Sequence, residues 1–89
     1  MRAKNRLTAG FLKSPPVGKH CDGAGLWLVQ REDGGAQWVL RVTVHGRRRE
    51  MGLGGYPSLG LAEARKLAER WRNVAANGRD PIKEREAED

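Results

Sequence analysis

Apolar and polar residues alternate along the stretch from Gln37 to Leu53, and the alternation predicts a pair of strands. One face collects Trp38, Leu40, Val42 and Val44 before a turn at Gly46, and Met51 and Leu53 after it. The other face collects Val39, Arg41, Thr43, His45, Arg48 and Glu50. A period of two is typical of a strand buried on one side, so we expect an antiparallel hairpin with an apolar and a polar face.

Two further strands are predicted upstream of this hairpin. Leu26 to Arg31 alternates in the same way, between two turn-forming sequences, Asp22-Gly23-Ala24-Gly25 and Glu32-Asp33-Gly34-Gly35. Gly18 to Cys21 is predicted to form a short strand at the edge of the sheet. Strands that follow one another through tight turns form an antiparallel meander.

One helix and one short helical turn are predicted outside the strands. Apolar residues recur every three or four positions after residue 60, which predicts a helix from about Leu61 to Ala76 that ends at the stop signal Asn77-Gly78. A short helical turn ending at Leu12 is predicted after Thr8, whose hydroxyl suits an N-cap.

The predicted fold is α+β, with a three- to four-stranded antiparallel sheet packed on one C-terminal helix and a short N-terminal helical turn. One helix covers only one face of the sheet, so no segment remains to cover Trp27, Val29 and Val39. An uncovered face of this kind is a candidate binding surface. We expect residues 1–6 to be a mobile basic arm, residues 7–81 the domain, and the charged residues 82–89 a linker.

Charge narrows the choice of partner. The 89 residues are enough for one small domain, and they carry a formal net charge of +6 with a pI of about 10.3. Arginines concentrate in the hairpin, so a polyanion is the expected partner and a nucleic acid fits better than a membrane surface. The alternative is an ordinary solvated surface.

The sequence also argues against several other classes. A single cysteine, Cys21, excludes an internal disulfide, and no apolar run approaches the roughly 20 residues that span a bilayer. The basic N-terminus is followed by no long apolar stretch, so we expect no signal peptide and a cytoplasmic protein.

Catalytic and metal chemistry find little support. His20, Cys21 and Asp22 are adjacent potential ligands but lack convergent partners, so we expect no metal or other cofactor, and Cys21 is predicted to be a small buried residue. Tyr56 precedes a proline and is expected to pack, as are Trp38 and Trp71. We therefore expect a non-catalytic module without a small-molecule substrate.

The polar face of the hairpin carries the candidate nucleic-acid contacts. Arg41 can reach guanine O6 and N7 or a phosphate, and the alternative is a cross-strand pair with Glu50. Thr43 lies on the same face, but threonine also favours a strand without any contact to a nucleic acid. His45 lies beside the turn, where it can contact a phosphate or simply be exposed to solvent. Trp27 can stack on a sugar or pack under Val39.

The remaining basic residues are candidates for phosphate contacts. Arg47 and Arg48 lie at the hairpin end, where a solvated loop is the alternative, and alternation turns Arg49 toward the helix side. Arg2, Lys4 and Arg6 of the N-terminal arm can follow a minor groove or the backbone, or remain a disordered basic terminus.

An ordered set of motifs extends over roughly residues 7 to 81: LTAGFLKS, GKHCD, GLWL, WVLRV, RRREMGLGGYP, LGLAEAR and NGRDP. In these the chain resembles the N-terminal arm-type DNA-binding domain of phage-type tyrosine recombinases, the integrases of prophages and genomic islands. It departs from the usual pattern at Gly60, where Ser or Thr is expected, and at Gln30, where an apolar residue is expected. Neither change affects the expected fold.

The resemblance implies a sheet packed on a C-terminal helix and sequence-specific binding to double-stranded DNA at arm-type sites distant from crossover. It also implies that the catalytic residues lie in a separate C-terminal domain beyond residue 89 and that other integrase protomers are partners. Our hypothesis is a sheet in the major groove with Arg41, Thr43 and Arg48 toward the DNA, while Arg47 and the arm hold phosphates.

Two rival functions remain. A protein-interaction module would dock an integrase protomer or accessory factor through the charged helix face or the Trp27–Val29–Val39 patch. Double-stranded RNA binding is suggested only by charge and domain size.

Overall fold

Four antiparallel strands form one sheet in the order in which they occur along the chain. The computed structural model describes residues 6–88, so Arg2 and Lys4 lie outside the described residues. The elements are α1 (Ala9–Leu12), β1 (Gly18–Gly23), β2 (Leu26–Gln30), β3 (Ala36–Val44), β4 (Arg47–Tyr56), α2 (Leu61–Ala76) and α3 (Pro81–Glu88). The predicted α+β fold, its sheet and the bounds of α2 are confirmed.

The core lies between the apolar face of the sheet and α2. Burial alternates along β3 as its sequence predicts, and α2 contributes Ala64, Ala68 and Trp71. Trp38 is fully buried, and its indole nitrogen donates a hydrogen bond to the Leu59 carbonyl at 2.7 Å. Tyr56 packs edge-on against Trp38 with ring centroids 6.1 Å apart, so the packing roles expected for these aromatic residues are confirmed.

The hairpin turn corrects one prediction. Strand β3 ends at Val44, and the two-residue turn His45-Gly46 has positive φ at both positions, +51° and +77°. A turn of this kind matches the twist of a hairpin. Strand alternation therefore does not extend to His45, which is exposed at the tip rather than in the row of Arg41 and Thr43.

A third helix occupies residues for which a linker was predicted. Asp80 caps it by accepting a hydrogen bond from the Ile82 amide at 3.0 Å, and Pro81 stands in the first turn, where a missing amide proton costs nothing. Ile82 packs against the core, and Asp80 also pairs with Arg49 of β4 at 3.0 Å. Asp-Pro is a helix-start signal that the charge of the segment obscured. Within residues 6–88 no helix is both long and apolar enough to cross a membrane.

Gly25, in the turn between β1 and β2, touches the strand that carries Arg41. The Arg41 amide donates to the Gly25 carbonyl at 2.8 Å, and a Cβ at Gly25 would lie 2.4 Å from the Arg41 carbonyl oxygen. The φ of Gly25 is +89°, which glycine adopts more readily than any other residue. This glycine therefore sets the distance between the turn and the hairpin.

We expect Gly25→Ala to lower the free energy of unfolding by at least about 1–3 kcal/mol, because left-handed strain combines with a backbone clash. Gly34→Ala is the matched control, since Gly34 has φ of +91° and open space around its missing Cβ. Urea unfolding of both variants measures the difference. Equal losses would show that the close approach to Arg41 costs nothing.

Candidate nucleic-acid interface

The face of the sheet opposite α2 is only partly covered within residues 6–88. Trp27, Val29 and Val39 are half-buried, whereas Leu28 and Trp38 on the other face are fully buried. The strand register assigns the following residues to this surface, here called the open face: Lys19, Cys21, Trp27, Val29, Gln37, Val39, Arg41, Thr43, Arg48 and Glu50. Lys19 and Gln37 were not among the predicted contacts, although the same alternation would have found them.

Arg41 is held in place from two sides. Its Nε donates a hydrogen bond to Glu50 Oε2 at 2.6 Å, and its guanidinium carbon lies 4.9 Å from the centroid of the Trp27 ring. The cross-strand pair that was the alternative to a DNA contact is therefore present in the free protein. Exposed contacts of these two kinds contribute roughly 0.2–1 kcal/mol each, enough to orient a side chain without immobilising it. Trp27 lies opposite Val39, beneath Arg41.

The end of the hairpin projects beyond the rest of the sheet. Strand β2 begins at Leu26, which pairs with Leu40, so β3 and β4 continue past it as a two-stranded ribbon. Thr43 and Arg48 are exposed and face each other across this ribbon, on the open face. A two-stranded ribbon has dimensions that fit the DNA major groove.

Two arginines of the hairpin lie on the other side of the ribbon. The register pairs Arg47 with Val44 and Arg49 with Val42, and both valines face the core. Arg49 pairs with Asp80, in agreement with the predicted orientation toward the helix side. Arg47 is exposed near the tip, so it lies apart from the open face and from Arg48, with which the sequence places it at the hairpin end.

A concavity of about 610 Å³ lies beside the ribbon, between the β1–β2 turn and the C-terminal part of α2. Its lining includes Arg6, Cys21, Trp27, Arg41, Thr43, Arg48 and Arg72. Four arginines line this hollow, and although Glu50 offsets the charge of Arg41, the other three create a positive potential that favours an anion. Cys21 is half-exposed here rather than buried as predicted, because its register opposite Trp27 turns it to the open face.

Arg72 is a candidate contact that the sequence did not identify. Its Nη1 donates to the Ala24 carbonyl at 3.1 Å, which fixes the end of the side chain beside the turn. In the sequence Arg72 belongs to a helix face of mixed charge, and no local signal distinguishes it from its neighbours. Only the packing of α2 on the sheet brings it near Arg48.

The backbone of Arg6 is hydrogen-bonded beside a partly buried ion pair at the edge of this concavity. The Arg6 amide donates to the Asp22 carbonyl at 2.9 Å, and the Leu7 amide to Asp22 Oδ1 at 2.8 Å. Arg65 of α2 binds both carboxylate oxygens of Asp22 at 2.9 Å and reaches the Leu7 carbonyl at 2.8 Å. The last residue of the predicted mobile arm is thus hydrogen-bonded to β1.

This pair also alters two pKa values. Burial by itself raises the pKa of Asp22, but the hydrogen bonds from Arg65 and from the Leu7 amide outweigh it, so the pKa lies below its ordinary value of 3.8. The hydrogen bond to Asp22 raises the pKa of Arg65. Both groups therefore stay charged in the folded protein.

The three adjacent potential metal ligands point in different directions. The His20 ring packs edge-on against Phe11, and its Nε2 lies 2.6 Å from the Pro16 carbonyl oxygen. Cys21 faces the open face, and Asp22 is bound to Arg65. Among residues 6–88 no three potential ligands of the His, Cys, Asp and Glu types converge.

Comparison with known proteins identifies a family for this chain. The family model for the arm DNA-binding domain matches residues 2–88. The integrase of Shigella phage Sf6 and the prophage integrase IntS of Escherichia coli K12 are each 36% identical over 66 residues, which is 74% of this chain and 17% of each integrase. The prophage integrase IntZ of the same strain is 33% identical over 60 residues, 67% of this chain and 15% of that protein. The chain belongs to the arm DNA-binding domain family.

Proposed function

We propose that this domain binds arm-type sites in double-stranded DNA sequence-specifically, as the N-terminal module of a site-specific integrase. The β3–β4 ribbon enters a major groove with Arg41, Thr43 and Arg48 toward base edges and backbone. The observation that carries the proposal is the projecting ribbon, whose open-face residues border a concavity lined by four arginines. Base contacts then give sequence preference, while phosphate contacts give most of the affinity.

The phosphate contacts come from several elements in this arrangement. Arg48 extends from the ribbon, Arg6 approaches the concavity from the N-terminal segment, and Arg72 approaches it from α2. Arg47 and His45 at the exposed tip reach the backbone beside the groove. Arg2 and Lys4 follow the backbone or a minor groove beyond Arg6. Trp27 acts mainly through Arg41, which covers its ring.

The chemistry of recombination belongs to other parts of the integrase in this proposal. The domain spans 17% of the phage integrase it matches, and its tyrosine is packed against Trp38. We propose a tyrosine recombinase as the parent protein, with residues 82–89 leading toward its core-binding and catalytic domains. Other protomers on the same DNA would add avidity to the moderate affinity of one small domain. Binding to the DNA of the cell implies a cytoplasmic location.

We expect a short duplex carrying an integrase arm repeat to shift the backbone amide resonances of the open face. In an NMR titration of the isotope-labelled domain, the amides of Trp27, Arg41, Thr43 and Arg48 should move. The shifts should weaken between about 50 mM and about 200 mM salt, since the counterion release that drives binding is less favourable at high salt. A duplex RNA of the same sequence is the control, because its deep, narrow major groove does not admit a ribbon.

Other outcomes of the titration would contradict the proposal. Shifts confined to the residues before Leu7 would indicate nonspecific charge binding. A flat titration with DNA would favour a protein-interaction module, and equal or stronger shifts with RNA would favour an RNA-binding domain.

A further inference from the structure

Resting on the proposed function, we propose that Glu50 is a specificity-determining residue that presents Arg41 to guanine and keeps it away from phosphates. Glu50 is acidic and lies on a surface that otherwise attracts a polyanion. A carboxylate there weakens DNA binding in general, because it repels the backbone. Its contact with Arg41 suggests that the unfavourable charge serves to position that arginine.

The geometry divides the guanidinium group of Arg41 into an occupied part and a free part. Nε is engaged by Glu50, and one flat face covers the Trp27 ring. Among residues 6–88 the hydrogen bond of the Arg41 side chain is made by Nε, and neither Nη atom has a partner. Two adjacent donors in a fixed plane match the O6 and N7 acceptors of guanine in the major groove. With 31% of its side chain exposed, Arg41 can present this edge without leaving its support.

The charges of their neighbours also suit Arg41 and Arg48 to different parts of DNA. The Arg41–Glu50 pair is close to neutral, and the Glu50 side chain is 51% exposed, so a phosphate that approached Arg41 would also meet a carboxylate. Arg48 lies opposite Thr43, which carries no charge. Arg48 is thus suited to a phosphate, whereas Arg41 is suited to an uncharged base edge.

Glu50→Gln should therefore change specificity and general affinity in opposite directions. Without the carboxylate, the positive charge of Arg41 is no longer offset, and the uncharged amide oxygen in its place holds the guanidinium less firmly. We expect binding to a scrambled duplex to tighten roughly 5-fold at physiological salt, with a salt slope steeper by about 0.9, because one more cation faces the backbone. The preference for the selected duplex over the scrambled one should fall by roughly 5-fold, since the base contact is no longer held in place.

The test begins with selection of duplexes from a randomised pool by the wild-type chain. Fluorescence anisotropy then compares the selected duplex with a scrambled duplex of equal composition. Replacing single guanines by 7-deazaguanine removes the N7 acceptor, and at one position this should weaken the wild type but not Arg41→Ala. Glu86→Gln is the matched control, because it removes one exposed acid from α3 and changes the net charge equally.

Three results would overturn the inference. The first is a Glu50→Gln variant that binds both duplexes with an unchanged ratio. The second is a selected site at which no guanine N7 depends on Arg41. The third is a Glu86→Gln variant that reproduces both changes, which would assign them to net charge alone. Wild-type protein that binds no duplex at all would refute the proposed function itself.

Discussion

Replacing Asp22 with alanine is expected to lower the free energy of unfolding by about 3 kcal/mol, the low end of the range for breaking a buried ion pair from one side, because the Arg65 side chain stays 29% exposed. Asp22 is 2% exposed, and its carboxylate accepts hydrogen bonds from the Arg65 guanidinium and the Leu7 amide. Removal of the carboxylate leaves the charge of Arg65 partly buried and the Leu7 amide without its acceptor. The variant would lose the hydrogen bonds that join the N-terminal segment, β1 and α2 at this carboxylate.

Urea denaturation followed by tryptophan fluorescence measures this loss. Asp33→Ala is the control: Asp33 also accepts hydrogen bonds from an arginine and an amide, but its side chain is largely exposed. It should change stability very little, because an exposed pair is screened by water. Similar losses in the two variants would mean that the burial of the Asp22 pair has no energetic consequence.

The same carboxylate predicts how stability depends on pH. The pKa of Asp22 is lower in the folded chain than its ordinary 3.8, so the unfolded chain takes up the proton first as the solution becomes acidic. The contribution of Asp22 is complete well above pH 3.8, and it is lost as the pH falls through the folded value. The stability difference between wild type and Asp22→Ala should therefore shrink in acid. A difference that stays constant would contradict this account.

Replacing Arg6, Arg48 and Arg72 together with glutamine is expected to weaken DNA binding on the order of 100-fold at physiological salt. The three arginines line one concavity, so a polyanion that enters it meets all three. If each neutralises one phosphate, the magnitude of the salt slope should fall by up to about 2.7. Selected and scrambled duplexes should lose affinity equally, because phosphate contacts carry no direct sequence information.

The control for this variant keeps the net charge the same. Lys66, Arg70 and Arg79 are exposed residues that do not line the concavity, and their joint replacement with glutamine also removes three positive charges. Anisotropy titrations at several salt concentrations compare the two triple variants. Equal losses of affinity and slope would show that net charge, rather than the concavity, determines binding. Thermal unfolding of both variants checks that Arg72, which binds the Ala24 carbonyl, is not required for folding.

Local pattern was sufficient for the elements that bury one continuous side. The alternation in β3 predicted that strand and its buried residues from Trp38 to Val44, and the three-and-four spacing predicted α2. Thr8 was predicted as an N-cap, and its hydroxyl accepts a hydrogen bond from the Phe11 amide at 3.1 Å. These signals are reliable because each depends only on residues that are close in the sequence. An element with one buried and one exposed side repeats the same spacing of apolar residues along its whole length.

Irregular local geometry limited the prediction of other residues. Alternation does not reveal that His45 has left the strand, since the backbone of the turn decides it. A register shift in β4 near Leu53 also interrupts the simple period of two. In the last residues, abundant charge obscured the Asp80-Pro81 start of α3, which docks through Ile82 and the Arg49–Asp80 pair.

Patterns in the sequence were enough to predict the sheet, the helix that covers it, the open face with Arg41, Thr43 and Arg48, and the family to which the motifs point. Contacts between charged residues far apart in the sequence became visible only in the folded arrangement. Asp22 and Arg65 are 43 positions apart, and Arg72 joins Arg48 only because α2 crosses the sheet beside the β1–β2 turn. Such meetings depend on the relative placement of packed elements, which no short-range periodicity encodes.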